Sequence, residues 1–392
     1  MTVAYALLVV AIAIGGYAFV GYPVLLRVAA ALRRPAAEDG GESEWPSVTV
    51  TLTAYNEEAQ MAGALDSLLA LDYPTELRRV LIVSDGSTDG TDRIVRSYAA
   101  RGVDLIALPD RVGKTAAEGA ALREIDTDLV LNTDASVRPH PASLKALVGA
   151  FRDPSVGVAS GRDVSVSGDE HAGNEGERGY VGYEMAVRAL ETRVHGIVGA
   201  SGSCYLIRAS LHRLALPAGL SRDFAAALRA REHGYRAVSV DTATCQVPRA
   251  ASLRREYRRK VRTMVRGMRT LAYNSALLNP ARYGVFAWML WSHKVARWVV
   301  PWAALAALAA TALLAVTQTW ARLAVAGAIG LGLITALAWL RDGRVPRPFA
   351  LPAWAALGNL AAVHAALKAL GGEQSAIWEP TRRDPTATVE AA

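Results

Sequence analysis

Five short segments set charged or hydroxyl side chains among glycines and small residues: Thr53-Ala-Tyr-Asn-Glu-Glu58, Ser84-Asp-Gly-Ser-Thr-Asp-Gly-Thr91, Arg111-Val-Gly-Lys-Thr115, Thr133-Asp-Ala-Ser136 and Ser221-Arg-Asp-Phe224. Each suits a definite chemistry. Asp85 can accept hydrogen bonds from a base or ribose, and the glycines beside it permit a tight backbone turn. Lys114 at a helix start can meet phosphate. Asp134 offers hard carboxylate oxygens to Mg²⁺ or Mn²⁺ bridging a diphosphate. Asp223 can serve as a general base. Plainer roles compete: Asn56, Thr88 and Asp89 as helix caps, Asp134 as a turn residue, Asp223 as a first-turn charge favoured by the helix dipole. The Arg111–Thr115 segment is not a Walker loop, because that motif needs glycine where Leu108 stands.

These residues need a scaffold that delivers them to one edge. Short β-branched runs at Ser47–Thr53, Arg79–Ser84, Asp104–Ala107 and Asp128–Thr133 predict strands. Amphipathic stretches at Glu57–Leu71, Thr91–Arg101, Thr115–Ile125 and Pro141–Phe151 predict helices between them. That alternation predicts an α/β domain with a mostly parallel, helix-covered sheet. Ligands bind beyond the carboxyl ends of such strands, where Tyr55, Asp85 and Asp134 fall. The run Gly199-Ala-Ser-Gly-Ser-Cys-Tyr205 is too polar at its start for a core strand.

The ordered set resembles glycosyltransferase family 2, the group that includes cellulose, chitin and hyaluronan synthases. The matching features are Ala54–Glu58, Ser84–Thr91, Gly113-Lys114, Thr133–Ala135, Gly199–Gly202, and Asp223 with Gly234-Tyr235, spread over Val48 to Gly267. The resemblance implies a GT-A fold, a Rossmann-like mixed sheet, and a nucleotide-sugar donor. Ala54, Tyr55, Glu57, Asp85, Lys114 and Asp134 would hold the nucleotide, with UDP expected. Asp134 would ligate the metal, and Asp223 would deprotonate an acceptor hydroxyl for inverting displacement. This chain departs from the pattern at Ser136, where a second carboxylate is usual, and at Arg222, where the first member of an acidic pair is usual. The Gln-x-x-Arg-Trp motif of processive synthases is missing: the corresponding stretch is Lys260-Val-Arg-Thr-Met264, and Gln246-Val-Pro-Arg249 ends in Ala250.

Both ends of the 392-residue chain are apolar and the middle is charged, which predicts a soluble domain between membrane segments. The net charge of +7 comes with no recognisable nucleic-acid module and suits a cytoplasmic leaflet. Cys204 and Cys245 have neither metal-ligand nor redox spacing and read as buried thiols of a reducing compartment. Val3–Leu26 is long enough to span, and the arginines following it at 27, 33 and 34 mark a retained anchor with its N-terminus outside. Further spans are predicted at Val295–Val316 and Leu323–Leu340. Phe349–Leu370 fits either a span or a re-entrant segment, and a crossing would put Arg382 and Arg383 outside, against the charge rule. The helix predicted over Ala251–Met268 carries a Leu253, Tyr257, Val261, Met264, Met268 stripe and fits either an ordinary solvated basic helix or one lying in the headgroup plane, the latter favoured by its place just before apolar segments.

The expected domains are an anchor (1–31), a cytosolic GT-A domain (45–250), interface helices (251–292), a C-terminal transmembrane region (293–370) and a tail (371–392). The expectation is a multi-pass plasma-membrane enzyme transferring sugar to a glycan or lipid acceptor. Two alternatives stand beside it: a processive synthase that also secretes its polymer, and an inactive sugar-nucleotide binder.

Overall fold

The computed structural model describes residues 1–33, 44–166, 172–248, 252–343 and 345–372, with side chains from Gly179 onward in the helix that begins at Ala172 and none at Arg347. Residues 34–43, Arg249 to Ala251 and the expected tail from residue 373, with Trp378–Thr381, lie outside those residues. The chain divides into two compact units.

The first unit in functional terms comprises residues 44–166 and 184–248 among the described residues. It opens with β1 (Val48–Ala54), α3 (Glu58–Leu69), β2 (Arg78–Asp85), α4 (Thr91–Ser97), β3 (Val103–Leu108), α5 (Lys114–Leu122) and β4 (Leu129–Thr133). These four strands are parallel, in the order β3-β2-β1-β4. Every residue of β1 and β4 is buried, as expected for strands covered on both faces. The predicted elements fall within a few residues of those observed. The Thr91–Arg101 helix is shorter than expected: it ends at Ser97, and a single 3₁₀ turn leads to Gly102 at φ 83°.

Beyond β4 the sheet changes character. It continues through β7 (Cys204–Arg208), β6 (Val156–Val166), β8 (Arg236–Pro248) and β5 (Arg138–Pro139), with β7 antiparallel to both β4 and β6. The result is a mixed sheet, carrying α6 (Ser143–Gly149), α8 (Ala209–His212) and α9 (Arg222–Glu232). One core cluster gathers Val50, Leu52, Met61, Leu65 and Ile82. A second gathers Val83, Val130, Ile207 and Ala227.

The other unit holds α1 (Thr2–Gly16), α2 (Tyr22–Ala31), the start of α7 (Ala172–Val194), α10 (Leu253–Tyr273), α11 (Pro280–Leu290), α12 (Ala296–Leu314), α13 (Thr319–Leu340) and α14 (Arg347–Leu370). Among the described residues four helical runs are long and apolar enough to cross a membrane: Thr2–Ala31, Pro280–Leu314, Thr319–Leu340 and Pro348–Leu370. The second run starts well before the predicted Val295, because α11 continues through a π-turn at Trp291–Val295 into α12. Another π-turn, Tyr17–Gly21, joins α1 to α2 just before Pro23. Proline cannot donate to the carbonyl four residues back. That carbonyl, Phe19 O, instead accepts from the Tyr183 hydroxyl at 2.9 Å. The two π-turns are bonded together through Tyr17 and Ser292 hydroxyls at 2.6 Å.

Three residues of the predicted apolar stripe of α10, Tyr257, Val261 and Met264, pack against protein. Val261 and Val265 are buried against Ala361 and Ala365 of α14, with Tyr257 and Met264 packed beside them.

Candidate active site

The parallel strands deliver Ala54, Asp85 and Asp134 to one edge, as their carboxyl ends must. Ala54 ends β1 fully buried. Tyr55 follows, half-buried, with the Arg111 guanidinium 3.9 Å from its ring centroid. Asn56 takes a left-handed conformation, φ 52°, and its side-chain oxygen accepts from the Thr88 amide at 2.8 Å. This locks the β1 turn onto the β2 turn. Asp89 accepts from the Thr91 amide at 3.0 Å just ahead of α4, whose N-cap is Gly90, whereas Thr88 bonds to Asn56. Glu57 precedes α3, its amide donating to the Thr91 hydroxyl at 2.9 Å. Its carboxylate faces Arg138, partly offsetting the effect of burial, which lowers the Arg138 pKa.

Asp85 ends β2 and is buried. Its carboxylate accepts from the Val112 amide at 2.7 Å and the Gly113 amide at 2.9 Å. Asp85 therefore holds the loop that leads into α5. Gly86 is required beside it: its φ is +66°, and a Cβ there would sit 2.6 Å from the Arg111 backbone nitrogen. The loop fixed in this way places Lys114 at the start of α5, and its ammonium meets Asp134 Oδ1 at 2.6 Å. Two residues separated by 20 positions in sequence thus form one ion pair at the strand edge, both partly exposed.

Asp223 arrives from the other half of the sheet. It lies in the first turn of α9, where the Ser221 hydroxyl donates to Oδ1 at 2.6 Å. Antiparallel pairing of Thr133 with Cys204 brings the Ser201–Ser203 loop to the edge that carries Asp134, and the Thr133 hydroxyl donates to Ser203 O at 2.9 Å. Gly202 in that loop approaches Asp223 so closely that a Cβ would be 3.1 Å from Oδ2.

Near these residues meet three side chains that the sequence did not link, Tyr205, Glu118 and Arg222. Tyr205 is buried, and its phenol pKa is pushed well up by burial, with the Glu118 carboxylate adding and Asp223 and Asp134 also acting in that direction. Arg222 opposes them. Arg222 forms a buried ion pair with Glu118 of α5, tying the helix that carries Asp223 to the helix that starts with Lys114. Arg138 anchors the turn after Asp134, donating to Ala135 O at 2.7 Å and to Gln60 O of α3 at 3.1 Å. An acid at i+4 from Lys114 was the available signal for Glu118; nothing in the sequence pointed to Arg138.

Among the described residues no group of three or more His, Cys, Asp or Glu side chains could hold a metal ion by itself. Asp134 contributes one carboxylate, with Ser136 buried nearby. Mg²⁺ commonly takes one or two carboxylates and completes its shell with substrate phosphates and water. The residues fit an ion completed by a bound diphosphate, not one caged by protein.

Residues 49–213 match the model of glycosyl transferase family 2. An N-acetylglucosaminyltransferase of Bradyrhizobium elkanii is 34% identical over 129 residues, which cover 32% of this chain and 70% of that one. The chain belongs to glycosyltransferase family 2. Further N-acetylglucosaminyltransferases are similar over shorter shares of their length. That of Rhizobium sp. (strain N33) is 38% identical over 133 residues, 33% of this chain and 29% of the relative. That of Rhizobium meliloti (strain 1021) is 34% identical over 181 residues, 45% of this chain and 42% of the relative. The chain thus spans less than half the length of these two relatives. The structure also resembles the mannosyltransferase PcManGT from Pyrobaculum calidifontis, solved with GDP-Man and Mn²⁺, at a TM-score of 0.72 and 24% identity. That likeness covers 94% of this chain and 100% of the other, and supports the GT-A fold.

Proposed function

We propose that this family 2 chain is a membrane-associated, inverting glycosyltransferase that takes its sugar from a nucleoside-diphosphate sugar. The observation that carries the reading is the Lys114–Asp134 pair at the carboxyl edge of the parallel strands, with Asp223 brought to the same edge from α9. The Tyr55 and Asp85 turns form the floor for the nucleotide, and Lys114 supplies positive charge where the diphosphate would lie. Asp223, oriented by Ser221, takes the proton from the acceptor hydroxyl as that oxygen attacks the anomeric carbon. Arg222 does not neutralise this base, since its guanidinium pairs with Glu118. A divalent cation bound at Asp134 would offset charge developing on the departing diphosphate. The relatives' names make an N-acetylglucosaminyl group the first sugar to test, and the resemblance of the motifs makes UDP the first nucleotide.

The test is release of nucleoside diphosphate from UDP-, GDP- and TDP-sugars by detergent-purified protein with Mn²⁺ or Mg²⁺, compared with Asp223→Asn. Turnover of one donor, lost in the variant while donor binding persists, is the expected result. Full turnover by Asp223→Asn would remove Asp223 from the mechanism. Donor binding without turnover, over a panel of glycan and lipid acceptors, would favour the inactive binder.

A further inference from the structure

Apolar length alone would let α14 cross a bilayer, but its neighbours place it differently. Tyr257 of α10 contacts two aromatic rings at once. One is Trp339, at the end of α13, with ring centroids 5.3 Å apart; the other is His364, at 6.0 Å, whose Nδ1 lies 3.1 Å from the Tyr257 hydroxyl. Trp339 and His364 are therefore level with each other. Yet His364 is 17 residues into α14, about 25 Å along it at 1.5 Å per residue. Were α14 the return leg of a hairpin with α13, His364 would lie near the opposite face of the bilayer from Trp339. The connection cannot supply that displacement: its six residues, 341–346, reach at most roughly 21 Å even fully extended, and the first of them stay close to α13 and α10, the Gly343 amide donating back to Ala338 O at 2.8 Å and the Gly343 Cβ position lying 3.6 Å from Leu253 Cβ. Only six residues follow His364 before the helix ends at Leu370, roughly 9 Å against a hydrocarbon thickness of roughly 30 Å.

The composition of α10 points the same way. Eight of its 21 residues are Arg or Lys, so it belongs outside the hydrocarbon. It packs on α14 through Val261, Val265, Ala361 and Ala365, and the Lys260 ammonium lies 3.6 Å from the Trp354 ring centroid. On another face of α14, Leu360 and Leu367 are 50% and 56% exposed. One side of α14 thus meets a cationic helix and another presents leucine.

We propose that α14 does not cross the membrane but lies with α10 as a two-helix layer on the lipid headgroup surface where α13 emerges. The arginines and lysines of α10 face headgroup phosphates, and the leucines of α14 dip into the acyl boundary. This placement is independent of the catalytic reading.

The test places single cysteines at Arg341 and Gly371 of the full chain and labels them with a membrane-impermeant maleimide, in right-side-out and in inverted vesicles. The native cysteines are buried. Both positions should label in the same vesicle orientation. Labelling in opposite orientations would overturn the proposal. As a second reading, a fluorophore on Leu360→Cys should be quenched by lipids carrying a quencher near the headgroup several-fold more than by lipids carrying it at the chain terminus. The reverse order would likewise overturn it.

Discussion

Asp134 has two demands on its carboxylate, the Lys114 ammonium and the cation that a bound diphosphate would bring. Because no group of three ligating side chains surrounds it among the described residues, metal affinity should depend on the donor. Titration with Mn²⁺ should show weak binding to the free protein and binding at least ten-fold tighter in the presence of nucleoside diphosphate. Asp134→Ala should abolish that enhancement, and an unchanged enhancement would make Asp134 a turn residue only. Arg222 and Glu118 raise a separate question, because arginine stands where the family usually has an acid. Breaking a buried pair leaves an uncompensated charge, at a cost of about 3–5 kcal/mol. Glu118→Gln should therefore lower stability by that order and reduce kcat more than donor KM, since the pair joins the helices bearing Asp223 and Lys114. The exchange Glu118→Arg with Arg222→Glu should recover part of both losses. If it recovers neither, the pair is not what joins the helices.

Single elements carry their own requirements. Gly202 leaves the Ser201–Ser203 loop room beside Asp223, and in Gly202→Ala the new methyl would press within 3.1 Å of Oδ2. Turnover should fall at least several-fold with donor affinity nearly unchanged, checked by parallel kinetics and donor titration. The short helix α8 buries His212, whose imidazole pKa is pushed down to about 3 by burial, with Arg222, Arg229 and Arg213 adding to the effect. An unfolded imidazole takes its proton near 6.5, so between these values the unfolded chain binds more protons than the folded one. The stability contribution is whole above pH 6.5 and falls as the pH drops toward 3, by about 1.4 kcal/mol per unit. Thermal unfolding in detergent at pH 7.5 and 5.5 should show a smaller loss of Tm in His212→Gln than in the unaltered chain. Equal losses would assign the acid sensitivity to other groups.

At the scale of the molecule, the apolar unit is held by helix packing that uses small residues. Ala4 of α1 packs with Ala310 and Leu314 of α12 and with Ala321 of α13. Small residues let helix backbones approach where no hydrophobic driving force separates protein from lipid. Ala310→Leu should force α1 and α12 apart and shorten the half-life of the purified protein at a fixed temperature, while donor binding measured at once stays near normal. An unaltered half-life would mean that this contact is not tight.

The sequence by itself determined the parallel half of the sheet and the residues at its edge. There, β-branched runs end in Tyr55, Asp85 and Asp134, and local periodicity and turn chemistry suffice. It also marked the N-terminal run as long and apolar enough to cross a membrane, where length and composition decide. The antiparallel half was not legible, since β6 to β8 are long-range pairings whose partners lie 40 or more residues apart. For the same reason the Glu118–Arg222 pair, the place of Tyr205 and the hold of Asp85 on the Val112–Gly113 loop appeared only when distant segments met. Hydropathy allowed α14 either to cross or to stay. Only its contact with α10 separates the two, because hydropathy measures what a helix can bury and not which neighbour buries it.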